Sequence, residues 1–310
     1  MRNRTLLTLV AFTAAVHTAG AAIAGAQSVG RMVVDDVSNS ARDLGAIWVA
    51  PFRGSAKDYL ITAGVLGIAG AVSPLDDEVD NWAVKNRDRG FLDAIRPFRR
   101  GGDLYSLNHA MPYVAGLYVV GLATGHRGIR DGIFGCAAAY GANTTIRHQV
   151  IYRVLGRNRP DTVRSRPEGY VPVPAEQGDQ YAFRVPSKGY GDHSFPGGHI
   201  ATMATCGAFL SDRFEMGVVE PVLAGMVLVM GIGRLADQGH WMSDQIVGGV
   251  YGYAIGKEIA RRQKSRLARE RREKAEGNAR EATGAIREPA GSVYVGKDLN
   301  GTRLGWQHSF

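Results

Sequence analysis

The 310-residue chain is short of cysteine, of aromatic residues and of long uninterrupted apolar runs, and each shortage excludes something. Two cysteines, Cys136 and Cys206, cannot build the disulfide framework of a small secreted scaffold, so stability has to come from a packed core. Whether the two pair or stay as buried thiols is open at the level of sequence. Aromatic residues make up 8% and do not interleave with basic ones in any nucleic-acid-binding motif, so no nucleic-acid partner is expected. No histidine, cysteine or carboxylate cluster has metal-ligand spacing, so no metal and no cofactor are expected. Several apolar segments stop after about 14 to 17 residues at a charge or a Gly/Pro break. A membrane-crossing helix needs about 20. With a mean hydropathy of −0.13, this favours a soluble, tightly packed bundle.

Glycine, by contrast, is abundant at 41 residues, many of them inside apolar stretches where small residues let helices approach closely. Periodic apolar segments predict helices at 59–73, 111–125, 132–155, 199–212, 217–233 and 241–260. The fold class is therefore all-α, a bundle of about six core helices. Pro51 and Gly54 predict irregular structure in an N-terminal segment over 27–54. The charged stretch LDDEVDNWAVKNRDRG, in 75–110, reads as an amphipathic helix outside the bundle. Residues 160–195, rich in Pro, Gly and charge, read as a long functional loop. Beyond the last core helix come a charged helical extension over 261–288 and a C-terminal segment, 289–310. There Asn300-Gly301 between alternating stretches predicts a short β-hairpin.

Residues 1–26 have the form of a signal peptide: Arg2 and Arg4, an apolar stretch from Leu6 to Val16, then Ala24-Gly25-Ala26. An uncleaved anchor is the competing reading, and either implies export to the periplasm or beyond. The net charge of +8 is uneven, with 11 Lys/Arg against 6 Asp/Glu over 257–288. A solvated helix face explains this. Peripheral contact with an anionic membrane through 257–274 is the sharper alternative.

Three stretches carry chemistry. In GRLADQGHWMSD, His240 and Asp244 are four apart, so on a helix they share a face. An Asp bonded to one imidazole nitrogen leaves the other free as base or nucleophile, with Arg234 nearby. In SFPGGH, Gly197 and Gly198 precede a helix whose first N–H groups and dipole make an anion site, with His199 in its first turn. In YRVLGRNRPD, Arg157 and Arg159 precede Pro160, and arginine suits a phosphate. Singly, each has a bland explanation: a surface i,i+4 pair, a glycine cap with a chance histidine, a basic helix end.

Together, in this order, they resemble the type 2 phosphatidic acid phosphatase / vanadium-dependent haloperoxidase superfamily. That family reads Lys-x6-Arg-Pro, Pro-Ser-Gly-His and Ser-Arg-x5-His-x3-Asp. Arg159-Pro160 matches the first motif, Pro196, Gly198 and His199 the second, and Arg234, His240 and Asp244 the third. The resemblance covers roughly 55–260. Three positions depart from it: Tyr152 stands at the lysine, with Arg153 beside it as a candidate substitute, Gly197 at one serine and Gly233 at the other. The resemblance implies a phosphatase acting on phosphomonoesters, lipid phosphates among them, through a phosphohistidine on His240. His240 would be oriented by Asp244, and His199 would be the acid. Arg159, Arg234, Gly198 and Gly197 would hold the phosphate, and vanadate would mimic it. A binder of anions or lipid headgroups without turnover, and a vanadate-dependent haloperoxidase, are the rival readings. His193, near the end of the loop, is either a group shaping substrate access or a plain loop histidine. Oligomeric state is not legible.

Overall fold

The computed structural model describes residues 29–96, 107–161, 179–187, 189–284, 292–298 and 301–307. The signal-like residues 1–26 and half of the long loop lie outside them. The chain divides into two compact units, 1–263 and 264–310.

Among the described residues of the first unit, nine α-helices of five residues or more follow in order, the last running on into the second unit: α1 (Val29–Val49), α2 (Ala56–Val72), α3 (Asp76–Asn86), α4 (Gly90–Ala94), α5 (Leu107–Ala123), α6 (Arg127–Ile146), α7 (Gly198–Phe214), α8 (Val219–Ala236) and α9 (Met242–Gly284). The predicted bundle helices are all present. The prediction for 27–54 is corrected in part: Val29–Val49 is a regular helix, α1, packed on α6 and burying Met32 and Ile47, and the irregular stretch is confined to 50–55, around Pro51 and Gly54. Its neighbour α2 starts with a reciprocal cap. The Ser55 hydroxyl accepts from the Asp58 N–H, and the Asp58 carboxylate accepts from the Ser55 N–H.

The core joins α1, α6, α7 and α9 through Ile47, Ala138, Ala139, Ala142, Phe209, Ile255 and Ile259. The tip of the Phe209 ring meets Gly135, where a Cβ would stand 1.9 Å from Cζ. The open question about the cysteines is answered: Cys136 and Cys206 form a disulfide between α6 and α7.

Gly248, Gly252 and Gly256 recur every four residues, on one face of α9. A Cβ on them would fall 2.3, 2.1 and 2.2 Å from the backbone oxygens of Gly197, Ala201 and Thr205. The two helices therefore touch backbone to backbone, which only glycine permits.

Segment 75–96 does not lie outside the bundle. Its helix α3 packs on α8 and buries Asp76 and Asp80. The expectation that every apolar helix is buried in the bundle is also corrected. Two helical stretches, Ala56–Asn86 and Val219–Ala236, are long and apolar enough to cross a membrane, and only 6% and 22% of their most apolar windows are buried. Leu60, Ile61 and Ile68 on α2, and Val222 and Leu228 on α8, are exposed.

At the end of α6 the chain loosens into a π turn, Arg147–Ile151, and a last helical turn, Tyr152–Val154. A two-residue ladder, β1 (Gly156–Arg157) with β2 (Phe183–Arg184), then leads towards α7. In the second unit the charged part of α9 is exposed at every position from 268 to 281. The predicted hairpin forms there from β3 (Ser292–Asp298) and β4 (Gly301–Gln307), with Asp298 opposite Gly301, so Gly301 is the first residue of β4 rather than part of the two-residue turn expected at Asn300-Gly301.

Candidate functional site

The two histidines meet where α7 begins and where α8 hands over to α9. Gly197 caps α7, its N–H donating to the Asp244 carbonyl at 2.8 Å. The Gly198 N–H donates to His240 Nε2 at 3.3 Å. The His199 ring centre is 6.2 Å from that of His240.

His240 sits in the turn before α9 and is 2% exposed. Its Nδ1 lies 2.7 Å from the Ser194 carbonyl. A carbonyl only accepts, so Nδ1 carries the proton and Nε2 presents its lone pair. Burial first, then the charges of Arg159, His199 and Arg234, hold its pKa well below the ordinary value against the pull of that carbonyl.

The expected contact between Asp244 and His240 is corrected. Helix α9 starts at Met242, so the two residues do not share a helical face. Asp244 accepts instead from the Ser194 hydroxyl at 2.5 Å, from Arg157 Nη1 at 2.6 Å and from the Trp241 N–H at 3.1 Å. Asp244 fixes Ser194, and the Ser194 carbonyl orients His240. The carboxylate acts one residue removed.

Arg157 is the hub of that support. Fully enclosed, it also donates to Ser243 Oγ at 2.7 Å, to Asp76 Oδ2 at 2.7 Å and to the Gln180 carbonyl at 2.8 Å. Asp76 in turn accepts from the N–H and hydroxyl of Ser243 in the first turn of α9. A charge so placed is tolerable only because every partner is in reach. Sequence reasoning noticed Arg157 but gave it no role, and it missed Asp76, whose partner lies 81 positions away.

Cations surround the histidines. Arg159 donates through Nη2 to the His193 carbonyl at 3.3 Å. Arg234, in the last turn of α8, lies under Gly239, where a Cβ would stand 3.2 Å from Nη2. A third arginine was not foreseen. Arg147 is buried in the π turn and donates to the Gly198 carbonyl at 2.7 Å. A signal existed, since an arginine inside the apolar run 132–155 must find a polar partner when buried. Burial first, then Arg234, Arg159 and Arg147, push the His199 pKa down to about 3.

At the position of the missing lysine, Tyr152 is buried and donates its hydroxyl to the Pro196 carbonyl at 3.0 Å. Its ring stacks on His193 at 4.5 Å. His193 is thus part of the wall rather than a plain loop residue. Arg153 is corrected as a substitute: its side chain is exposed, whereas the buried Arg147 is the arginine bonded to the α7 N-terminus. Gly197 has no room for a side chain, because a Cβ would fall 2.7 Å from Gln245 Oε1.

The arrangement is a neutral imidazole with its Nε2 lone pair turned to a helix start, and a second imidazole, among three guanidinium groups. It fits a tetrahedral oxyanion better than any cation. Residues 133–267, which hold every one of these groups except Asp76, match the model of the PAP2 superfamily. No curated protein and no solved structure gives a significant match.

Proposed function

On the premise that residues 133–267 belong to the PAP2 superfamily, whose members are phosphoesterases in general, we propose that this chain is a metal-independent phosphomonoesterase working through a phosphohistidine. The observation that carries this reading is the locked tautomer of His240, Nδ1–H to the Ser194 carbonyl, with Nε2 facing the α7 N-terminus.

In the reaction, the Nε2 lone pair attacks phosphorus while the P–O ester bond breaks. The departing oxygen takes its proton from His199. A water then attacks phosphorus, passing a proton to His199, and the P–N bond breaks to free His240 and phosphate. The Gly198 N–H, which holds Nε2 in the resting site, is placed to turn to an equatorial oxygen once Nε2 is bonded to phosphorus. Arg159, Arg234 and Arg147 face the charge on the other oxygens, where positioned cations act most strongly. Arg147 supplies the positive charge that Tyr152 does not.

His199 has to carry a proton to act as acid, yet it is neutral in the resting site. A phosphate dianion among the arginines offsets the charges that depress it. Substrate binding and protonation of the acid are thus one event. The exposed apolar faces of α2 and α8 support membrane association of the exported protein.

The test is phosphate release from phenyl phosphate with chelator present. Release that survives chelator, is lost in His240→Ala and is blocked by vanadate supports the proposal. Phosphate binding with no release, across pH and with lipid phosphates tried, would leave the chain an anion-binding member of its family. Bromide oxidation with added vanadate would point to haloperoxidase chemistry instead.

A further inference from the structure

The turn that carries His240 is gripped by a helix that lies outside the family match. Asp76 and Asp80 are one turn apart on α3, on one face and about 6 Å apart along its axis. Both are buried. Asp76 accepts from the N–H and the hydroxyl of Ser243, three positions after His240. Asp80 accepts from Gln238 Nε2 through both its oxygens, at 3.2 and 3.0 Å, two positions before His240. Just past the end of α3, Arg87 Nη2 stands 3.6 Å from Asp237, which also faces Arg234 at 3.8 Å. The segment 237–243 is thus held from α3 at both ends, with the imidazole between them.

Gln238 is the least expected residue in that turn. Its φ is +51°, in the left-handed region where glycine is the ordinary choice. Another residue persists in such a conformation where its surroundings over-determine it. Here they do. The fully buried side chain reaches Asp80, and the Gln238 N–H donates to the Leu235 carbonyl at 2.9 Å. The Gln238 carbonyl accepts at 3.3 Å from the N–H of Asp161, two positions after Arg159. Glycine would make the turn without strain but could not reach α3. What glutamine adds is the bond to Asp80.

We propose that Asp80, acting through Gln238, is a positioning residue for His240. It fixes the turn after α8 so that Nδ1 meets the Ser194 carbonyl and Nε2 faces the start of α7, while Asp76 fixes the far side of the turn through Ser243. Asp80 itself touches neither histidine nor the arginines that face the phosphate. The kinetic consequence rests on the phosphohistidine reading; the placement of the imidazole does not.

The test has two arms, both on the full-length protein in detergent. The first compares kcat and KM for phenyl phosphate in wild type, Asp80→Ala, Asp80→Asn and Gln238→Gly. A displaced nucleophile beside an intact arginine cradle is expected to lower kcat about 10- to 100-fold in Asp80→Ala and Gln238→Gly. KM stays unchanged, the mark of an interaction that counts in the transition state. Asp80→Asn keeps an acceptor oxygen for Gln238 and is expected to recover most of the loss. Gln238→Gly eases the backbone while releasing the grip, so it serves if Asp80→Ala fails to fold. The second arm reads the His240 ring by heteronuclear NMR of isotope-labelled histidine, its signal identified as the one missing from His240→Ala. Wild type is expected to show a proton fixed on Nδ1, and Gln238→Gly both tautomers in exchange. This arm needs no turnover, so it decides the proposal even if wild type releases no phosphate. Unchanged kcat in folded Asp80→Ala and Gln238→Gly overturns the proposal, as does an unchanged His240 ring signal in Gln238→Gly. A fall in kcat that Asp80→Asn does not recover also overturns it.

Discussion

A histidine held neutral by burial first, and then by three arginines, makes the site sensitive to pH in a definite direction. In the unfolded chain His199 takes up a proton near 6.5; in the fold it does so only at about 3. Between those values the unfolded state binds the extra proton, so stability falls as pH falls through that window. By about pH 5 this amounts to roughly 2 kcal/mol for His199 alone. Phosphate or vanadate supplies the missing negative charge, so its gain in Tm should be larger at about pH 5 than at pH 8, as thermal melts would show. An equal gain at both would contradict this electrostatic account. The same logic governs turnover. Neutral His199 with a singly protonated phosphate holds the proton the reaction needs. The log of kcat/KM should therefore drop by about one per pH unit above the second phosphate pKa, near 6. Arg147→Met should lower kcat/KM on the order of 100-fold, with partial recovery in Arg147→Lys, as expected for a cation facing the phosphoryl charge. Asp244→Asn strips one partner from buried Arg157 and should cost about 3–5 kcal/mol in denaturant melts, far more than Ser194→Ala.

At the level of elements, the glycines of α9 are the most demanding positions. Gly252→Ala places a methyl group 2.1 Å from the Ala201 carbonyl, so α7 and α9 have to separate. Destabilisation of about 1–3 kcal/mol or more is expected, with loss of activity in parallel, because the same contact sets where His199 stands. The bundle helices were legible in the sequence because their apolar periodicity is local. The site was half legible. Pro196, Gly198, His199, Arg234 and His240 declare themselves by type and spacing, and they converge. What holds them does not, because it depends on where elements begin. Helix α9 starts at Met242 rather than before His240, which sends Asp244 to Ser194. The π turn shifts the register after Arg147, so that residue, and not Arg153, reaches the α7 N-terminus. The helix α1 was hidden because its face is mixed, with Asp36 and Asp43 buried among its apolar residues.

For the molecule as a whole, the bare apolar sides of α2 and α8 set its behaviour in water. Exposed Leu60, Ile68 and Leu228 lie on the two helical stretches that are long and apolar enough to cross a membrane. The protein should sediment with membranes and need detergent for release, and Leu60→Glu with Ile68→Glu should shift it towards the soluble fraction. Recovery of wild type in the soluble fraction without detergent would refute this.

The glycine seam also decides which part of the bundle can breathe. Because α7 and α9 touch through their backbones, His199 and the support of His240 travel as one rigid body. Helix α8 has no such seam; its Gly231 meets only the tip of the Ile200 side chain. Arg234 is therefore carried on a helix that meets α7 through side chains, so the anion site joins a half locked backbone to backbone with a half set by side-chain packing.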